Sequence, residues 1–218
     1  ITFLQHTVDK GREPHVAAMR NGLEQLAAMA PPYEGVFLSG VDAGGVPAEW
    51  VAVPGSDGKG VILYFHGGGY TAGSLSSHRN LVSRLAVEAG RLLLAVDYRL
   101  APEHPFPAAV DDAVAAYRWL VNSEGVPAGM VIIGGDSAGG GLALAALIKL
   151  REEGDRLPRA AFCLSPWTDL AMTGDSIRTK ADEDPFVEPR ALGFLAGQYL
   201  QGTDPKNPLA SPLYADLT

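Results

Sequence analysis

The chain has 218 residues, 47% of them hydrophobic and 19% charged, with a formal net charge of −8. That balance describes a globular domain with ample core and excludes a disordered chain. The acidic balance, with no cluster of Lys or Arg anywhere, excludes a nucleic-acid surface as the organising function.

Taken in order, residues 14–30 carry Val16, Met19, Leu23, Leu26 and Ala30 at helical spacing, with Arg20 and Glu24 on other faces. This predicts an amphipathic helix stopped by Pro31-Pro32. Residues 33–38 and 50–53 read as strands separated by a turn near Gly44-Gly45. The apolar run 61–65 predicts a buried strand that ends in His66-Gly67-Gly68-Gly69-Tyr70. A helix over 77–89 and a buried strand over 92–96 follow. Residues 107–121 form a helix with a proline in its first turn. A strand over 130–133, a glycine-dense turn and a helix over 142–150 come next, and residues 160–164 close the alternation as one more strand. Cys163, the single cysteine, lies in that run; it leaves no intrachain disulfide and reads as a small core residue. Strands alternating with helices over short connections predict an α/β fold with a mostly parallel sheet covered on both faces. No apolar run approaches membrane-spanning length and no signal-peptide pattern opens the chain, so the expectation is a cytoplasmic protein without stable membrane insertion.

Two stretches carry chemistry. Gly135, Ser137 and Gly139 match G-x-S-x-G between a predicted strand and a predicted helix, the setting of a nucleophile elbow. A nucleophile on so sharp a turn needs neighbours with almost no side chain, and the new helix points its free N–H groups at a developing oxyanion. His66-Gly67-Gly68-Gly69 follows a strand directly, where parallel sheets place their ligands. Three consecutive glycines let the main chain turn N–H groups toward an oxyanion; a phosphate loop would need a Lys-Ser/Thr continuation or a second spaced glycine, and neither is present. His66, fixed at the strand end, reads as the residue that orients this loop rather than as a general base.

These stretches, with Asp97-Tyr98-Arg99-Leu100-Ala101-Pro102-Glu103-His104-Pro105-Phe106-Pro107 between them, resemble the hormone-sensitive-lipase-like branch of the α/β-hydrolases, the bacterial family IV carboxylesterases. The resemblance runs from Pro14 to Leu217. It implies that Ser137 is the nucleophile and that the N–H groups of Gly68, Gly69 and Ala138 form the oxyanion hole. It also implies that Tyr98, Arg99 and Glu103 are scaffold, and that a cap lies over the pocket. The layout expected is an N-terminal cap region over 1–40, an α/β-hydrolase core over 41–168, a cap insertion over 169–210 and a return to the core over 211–218. Tyr70 and the cap residues Phe186, Leu192 and Tyr199 are expected to line an apolar pocket of limited volume. The substrate implied is a small carboxylic ester with a short acyl chain. No cofactor and no metal is implied, since no two ligands stand at metal-binding spacing. A homodimer through an edge strand is a common property of the resembled family.

The triad of that family runs Ser, then Asp or Glu, then His in chain order. The five histidines here, His6, His15, His66, His78 and His104, all precede Ser137, while Asp169 and Asp175 follow it at the base of the cap insertion. The expectation is therefore that this sequence is a piece of the hydrolase, that its C-terminal segment holds the catalytic Asp and His, and that the 160–164 strand is left with an unpaired edge. Two other functions use the same scaffold: a non-catalytic small-molecule receptor of the gibberellin-receptor kind, and an amidase or deacetylase.

Overall fold

A computed structural model describes residues 15–56, 60–184 and 187–217. Six strands form one sheet in the spatial order β1-β2-β4-β3-β5-β6. β1 (Phe37–Asp42) and β2 (Pro47–Ala52) pair antiparallel, and β2 pairs antiparallel with β4. The hairpin turns at Gly44 and Gly45, whose φ values of 75° and 90° are open to glycine at no steric cost. β3 (Val61–Phe65), β4 (Leu92–Val96), β5 (Val131–Asp136) and β6 (Ala160–Leu164) run parallel.

Alternation along the central strands divides their side chains between two cores. Ile62, Tyr64, Leu93 and Ala95 pack with Val82 and Ala86 of α2 (Leu75–Ala89), outside which lies α1 (Val16–Ala28). Leu63, Phe65, Leu94, Val96, Val131 and Ile133 pack on the other face against α3 (Ala108–Asn122) and α4 (Ala138–Glu152). After β6 the chain leaves the sheet, forms α5 (Ser176–Thr179) and α6 (Pro189–Leu200), and returns to a short 3-10 turn at Pro212–Tyr214.

Three strands coincide with the apolar runs 61–65, 92–96 and 160–164. The first strand lies four residues later than its sequence pattern indicates, so residue 40 falls inside β1. The reason is that β1 is an edge strand with Phe37, Leu38, Ser39 and Gly40 exposed, and it shows no buried apolar alternation to read. Among the described residues β6 forms the opposite edge, pairs only with β5, and exposes Ala160, Ala161 and Leu164. Among the described residues no helix is long and apolar enough to cross a membrane.

Candidate active site

Ser137 stands between β5 and α4 with φ 51° and ψ −120°, a conformation that costs a non-glycine residue about 1–3 kcal/mol. Its surroundings hold it there. Its N–H donates to the Leu164 carbonyl at 2.9 Å, and its carbonyl accepts from the N–H groups of Gly140, Gly141 and Trp167 at 3.1, 3.2 and 2.8 Å. The flanking glycines admit a close approach of backbone to backbone. A Cβ on Gly139 would lie 2.0 Å from the Phe65 carbonyl oxygen and 2.5 Å from that of His66; one on Gly135 would lie 2.4 Å from the Phe65 oxygen. The start of α4 is thus pressed against the end of β3, where the glycine loop begins.

In that loop Gly68, Gly69 and Tyr70 all have positive φ (120°, 63° and 61°). The Tyr98 hydroxyl donates to the His66 carbonyl at 2.7 Å, His66 Nδ1 donates to the Gly67 carbonyl at 2.8 Å, and the Gly67 N–H donates to Asp136 Oδ1 at 2.9 Å. The Gly68 carbonyl accepts from Thr71 and Ala72. The N–H groups of Gly68, Gly69 and Ala138 make no hydrogen bond among the described residues. A glycine loop and a helix N-terminus therefore present unbonded donors beside a strained serine, which is the equipment for binding an oxyanion.

His66 is buried and stacks on Tyr98 with ring centroids 4.4 Å apart, while the His78 ring lies 5.3 Å away on the tilt. Burial, and then the neighbouring His78, pushes its pKa down to about 4, so the ring is neutral at physiological pH. It holds the loop and makes no hydrogen bond to Ser137. The sequence reading missed the group that ties the loop to the elbow. Asp136 Oδ1 accepts from the Tyr64 hydroxyl at 2.8 Å as well as from Gly67, and its Oδ2 lies 3.5 Å from His78 Nε2. Burial alone would raise its pKa; the hydrogen bond and charge of His78, with those of Tyr64 and Gly67, outweigh it and keep the carboxyl below its ordinary value. Its position beside Ser137 was the available signal, but only the parallel register Phe65↔Gly135 shows that it reaches the loop.

The proposed pocket residues separate in space. Tyr70 and Tyr199 form a buried parallel stack, 3.9 Å between centroids and 5° between planes, with Phe106 against Tyr199 edge-on. In the same helix as Tyr199, Leu195 meets the glycine loop directly, since a Cβ on Gly69 would come within 2.6 Å of its Cδ1. Leu192 lines a shallow depression between α5 and α6, together with Ile177, Lys180 and Val187. Phe186 lies outside the described residues. A wider cleft opens between α1 and the end of the glycine loop, lined by Arg20, Glu24, Gly73, Ser74, Asp97 and Tyr98. Among the described residues no cluster of three or more His, Cys, Asp or Glu is placed to hold a metal.

A mostly parallel sheet carrying a left-handed serine at a strand-to-helix turn, with a glycine loop at the next strand end, defines an α/β-hydrolase fold. Residues 62–218 match the family described as alpha/beta hydrolase fold. Over 213 residues the chain is 47% identical to an acetyl-hydrolase of Streptomyces hygroscopicus, covering 98% of this chain and 69% of that protein. It is 34% identical over 201 residues to an esterase of Acinetobacter venetianus, covering 92% of this chain and 66% of that protein. Among solved structures it superposes on an esterase from the bacterial hormone-sensitive lipase family with a TM-score of 0.94 at 45% identity, covering all of this chain and 72% of the other. The chain belongs to the α/β-hydrolase family, in its hormone-sensitive-lipase-like branch.

Proposed function

We propose that this chain carries the nucleophile and oxyanion hole of a carboxylic ester hydrolase acting on small esters with short acyl chains. The observation that carries this reading is the strained Ser137 at the N-terminus of α4, set beside the unbonded N–H groups of Gly68, Gly69 and Ala138. The acetyl-hydrolase and esterase relatives support the same chemistry. Ser137 Oγ attacks the ester carbonyl carbon and passes its proton to a histidine base. The three N–H groups receive the charge of the tetrahedral oxygen, and the alcohol leaves with the returned proton. Water then cleaves the acyl-enzyme by the same steps in reverse order.

Among the described residues no side chain hydrogen-bonds the Ser137 hydroxyl, and His66 and His78 are engaged in holding the loop. The chain spans 69% of the length of the acetyl-hydrolase and 72% of the esterase structure on which it superposes. The unpaired Cys163 supports the reducing, cytoplasmic location expected from composition.

The test uses the whole protein that carries this sequence. A fluorophosphonate probe labels Ser137, and hydrolysis of p-nitrophenyl acetate disappears in Ser137→Ala. A C4 ester is turned over faster than a C12 ester. Binding of a small ester without hydrolysis or labelling would instead establish a receptor, and preference for amides over esters would establish an amidase.

A further inference from the structure

Asp136 takes no part in the acyl transfer just described, yet among the described residues it is the carboxylate hydrogen-bonded to the glycine loop. We propose that Asp136 is a positioning residue that locks the oxyanion loop to the nucleophile elbow, and that His78 holds its carboxylate in place. The inference rests on the esterase reading above.

The argument follows the peptide planes. A peptide unit is rigid, so fixing its carbonyl fixes the direction of the N–H across it. In the first plane the His66 carbonyl is held by the Tyr98 hydroxyl and the Gly67 N–H by Asp136. In the second the Gly67 carbonyl is held by His66 Nδ1, which leaves the Gly68 N–H aimed and free. In the third the Gly68 carbonyl is held by Thr71 and Ala72, which leaves the Gly69 N–H free. Among the described residues only the first plane is hydrogen-bonded to the elbow, and through Asp136, the residue preceding Ser137. The third donor, Ala138, lies two residues beyond Asp136. Without that carboxylate the two halves of the oxyanion hole lose their direct hydrogen-bonded link, and three consecutive glycines supply no stiffness of their own.

The carboxylate is itself well determined. A Cβ on Gly67 would lie 2.2 Å from Asp136 Oδ2, so the carboxylate packs on the bare Cα face of the glycine. Tyr64 reaches it from β3 and His78 from α2; the rings of His66 and Tyr98 stand beyond His78. His78 Nδ1 is hydrogen-bonded to Ser77 Oγ at 2.8 Å, and Ser77 also belongs to the capping box that starts α2. The line of support runs from the α2 N-terminus through His78 and Asp136 to Gly67.

The test compares Asp136→Asn, Asp136→Ala and His78→Ala with the wild type in the whole protein, reading kcat, KM, the kcat–pH profile and the rate of fluorophosphonate labelling. Loss of one oxyanion donor costs about 10²–10³-fold in kcat in other serine hydrolases, so Asp136→Ala is expected to lose about 10²-fold in kcat and to label slowly. KM changes little. Asp136→Asn keeps an acceptor for Gly67 and regains about a tenth of the wild-type kcat. In His78→Ala the buried carboxylate loses the partner that keeps its pKa low, so the acid limb of the kcat profile moves to higher pH. That movement disappears in the double variant His78→Ala/Asp136→Asn. Wild-type kcat in Asp136→Ala overturns the inference. So does a loss of folding stability and activity together in Asp136→Ala that Asp136→Asn leaves unrelieved and His78→Ala does not couple to pH. A wild type whose hydrolysis is indifferent to Ser137→Ala overturns the esterase reading and this inference with it, whereas an active, Ser137-dependent wild type separates the two.

Discussion

The helix that carries Ser137 at its start, α4, and the N-terminal helix, α1, are held in opposite ways. α4 buries ten of its fifteen residues, and its first glycines touch carbonyls of β3 and of the segment after β6. α1 buries none of its thirteen, and its half-buried Val16, Met19, Leu23 and Leu26 rest on α2 without closing a core. Polar contacts hold α1 instead: Arg20 donates to the carbonyls of Thr71 and Ala101 and to the Glu103 carboxylate, and Glu24 accepts from Ser74. Steric fit fixes the start of α4 closely, whereas exposed ion pairs hold a helix that can be displaced at small cost.

The largest effect should come from filling the contact between α4 and β3. Gly139→Ala places a methyl 2.0 Å from a main-chain carbonyl that no rotamer change can move. It is expected to destabilise the fold by about 3 kcal/mol or more, read as a shift in the urea midpoint. A near-neutral result would break the comparison at its strong end. Gly68→Ala comes next. Its φ of 120° excludes an L side chain and its Cβ would lie 2.1 Å from the Ala72 oxygen. Because the strain falls on one free donor, the expected result is a kcat loss of about 10²–10³-fold, with Ser137 still labelled at a reduced rate.

The third prediction concerns pH. His66 is neutral in the fold because its pKa is held at about 4, against 6.5 for an ordinary imidazole. Its contribution is fully present above pH 6.5, where both states are neutral. It is lost as pH falls toward 4, because the unfolded chain binds the proton first. For a fully buried ring the loss amounts to about 3 kcal/mol at most. Urea unfolding at pH 7.5 and pH 5 should show it, and His66→Gln should flatten the difference. Equal slopes in the two proteins would assign the acid sensitivity to other groups.

How much of this was legible in the sequence follows the same division. The buried strands were, because residues 61–65, 92–96 and 160–164 are continuous apolar runs. The glycines of the elbow and loop were, because a run such as Gly67-Gly68-Gly69 marks a main chain that must turn sharply and be approached closely. The edge strand β1 was misplaced by four residues, since its exposed Phe37, Leu38 and Gly40 show no alternation; Tyr33, which lies before it, is turned toward Arg84 of α2 instead. The Asp136, Tyr64 and His78 cluster was hidden because its members belong to three elements and meet only through the parallel register. The aromatic pair Tyr70 and Tyr199 was read as pocket lining from its chemistry, and neither residue is open to solvent in the fold. Patterns within one element survive in a sequence; contacts between elements do not.

The smallest effect is expected at the polar tether of α1, and it tests the weak end of the comparison. Arg20 Nη1 and Nη2 meet the two oxygens of Glu103 at 2.8 and 2.7 Å, and Nε meets the Thr71 carbonyl at 2.8 Å. Arg20→Ala removes all of these from a site that is largely solvated, so stability should fall by only about 1 kcal/mol. Because α1 walls the cleft beside Gly73 and Ser74, KM should rise several-fold, while kcat, set by the packed elbow, stays within about two-fold. The guanidinium of Arg20, helped by a hydrogen bond from the backbone N–H of Glu103, holds the Glu103 carboxyl at about 2, against 4.5 for an ordinary glutamate. The tether therefore works fully above pH 4.5 and weakens as pH falls toward 2, when the carboxylate takes up its proton. Limited proteolysis within α1 should rise across that window in the wild type and with added salt, and should be high at every pH in Arg20→Ala. Should Arg20→Ala instead lower kcat as far as Gly68→Ala does, α1 would belong to the catalytic framework, and the division between a packed elbow and a tethered helix would be wrong.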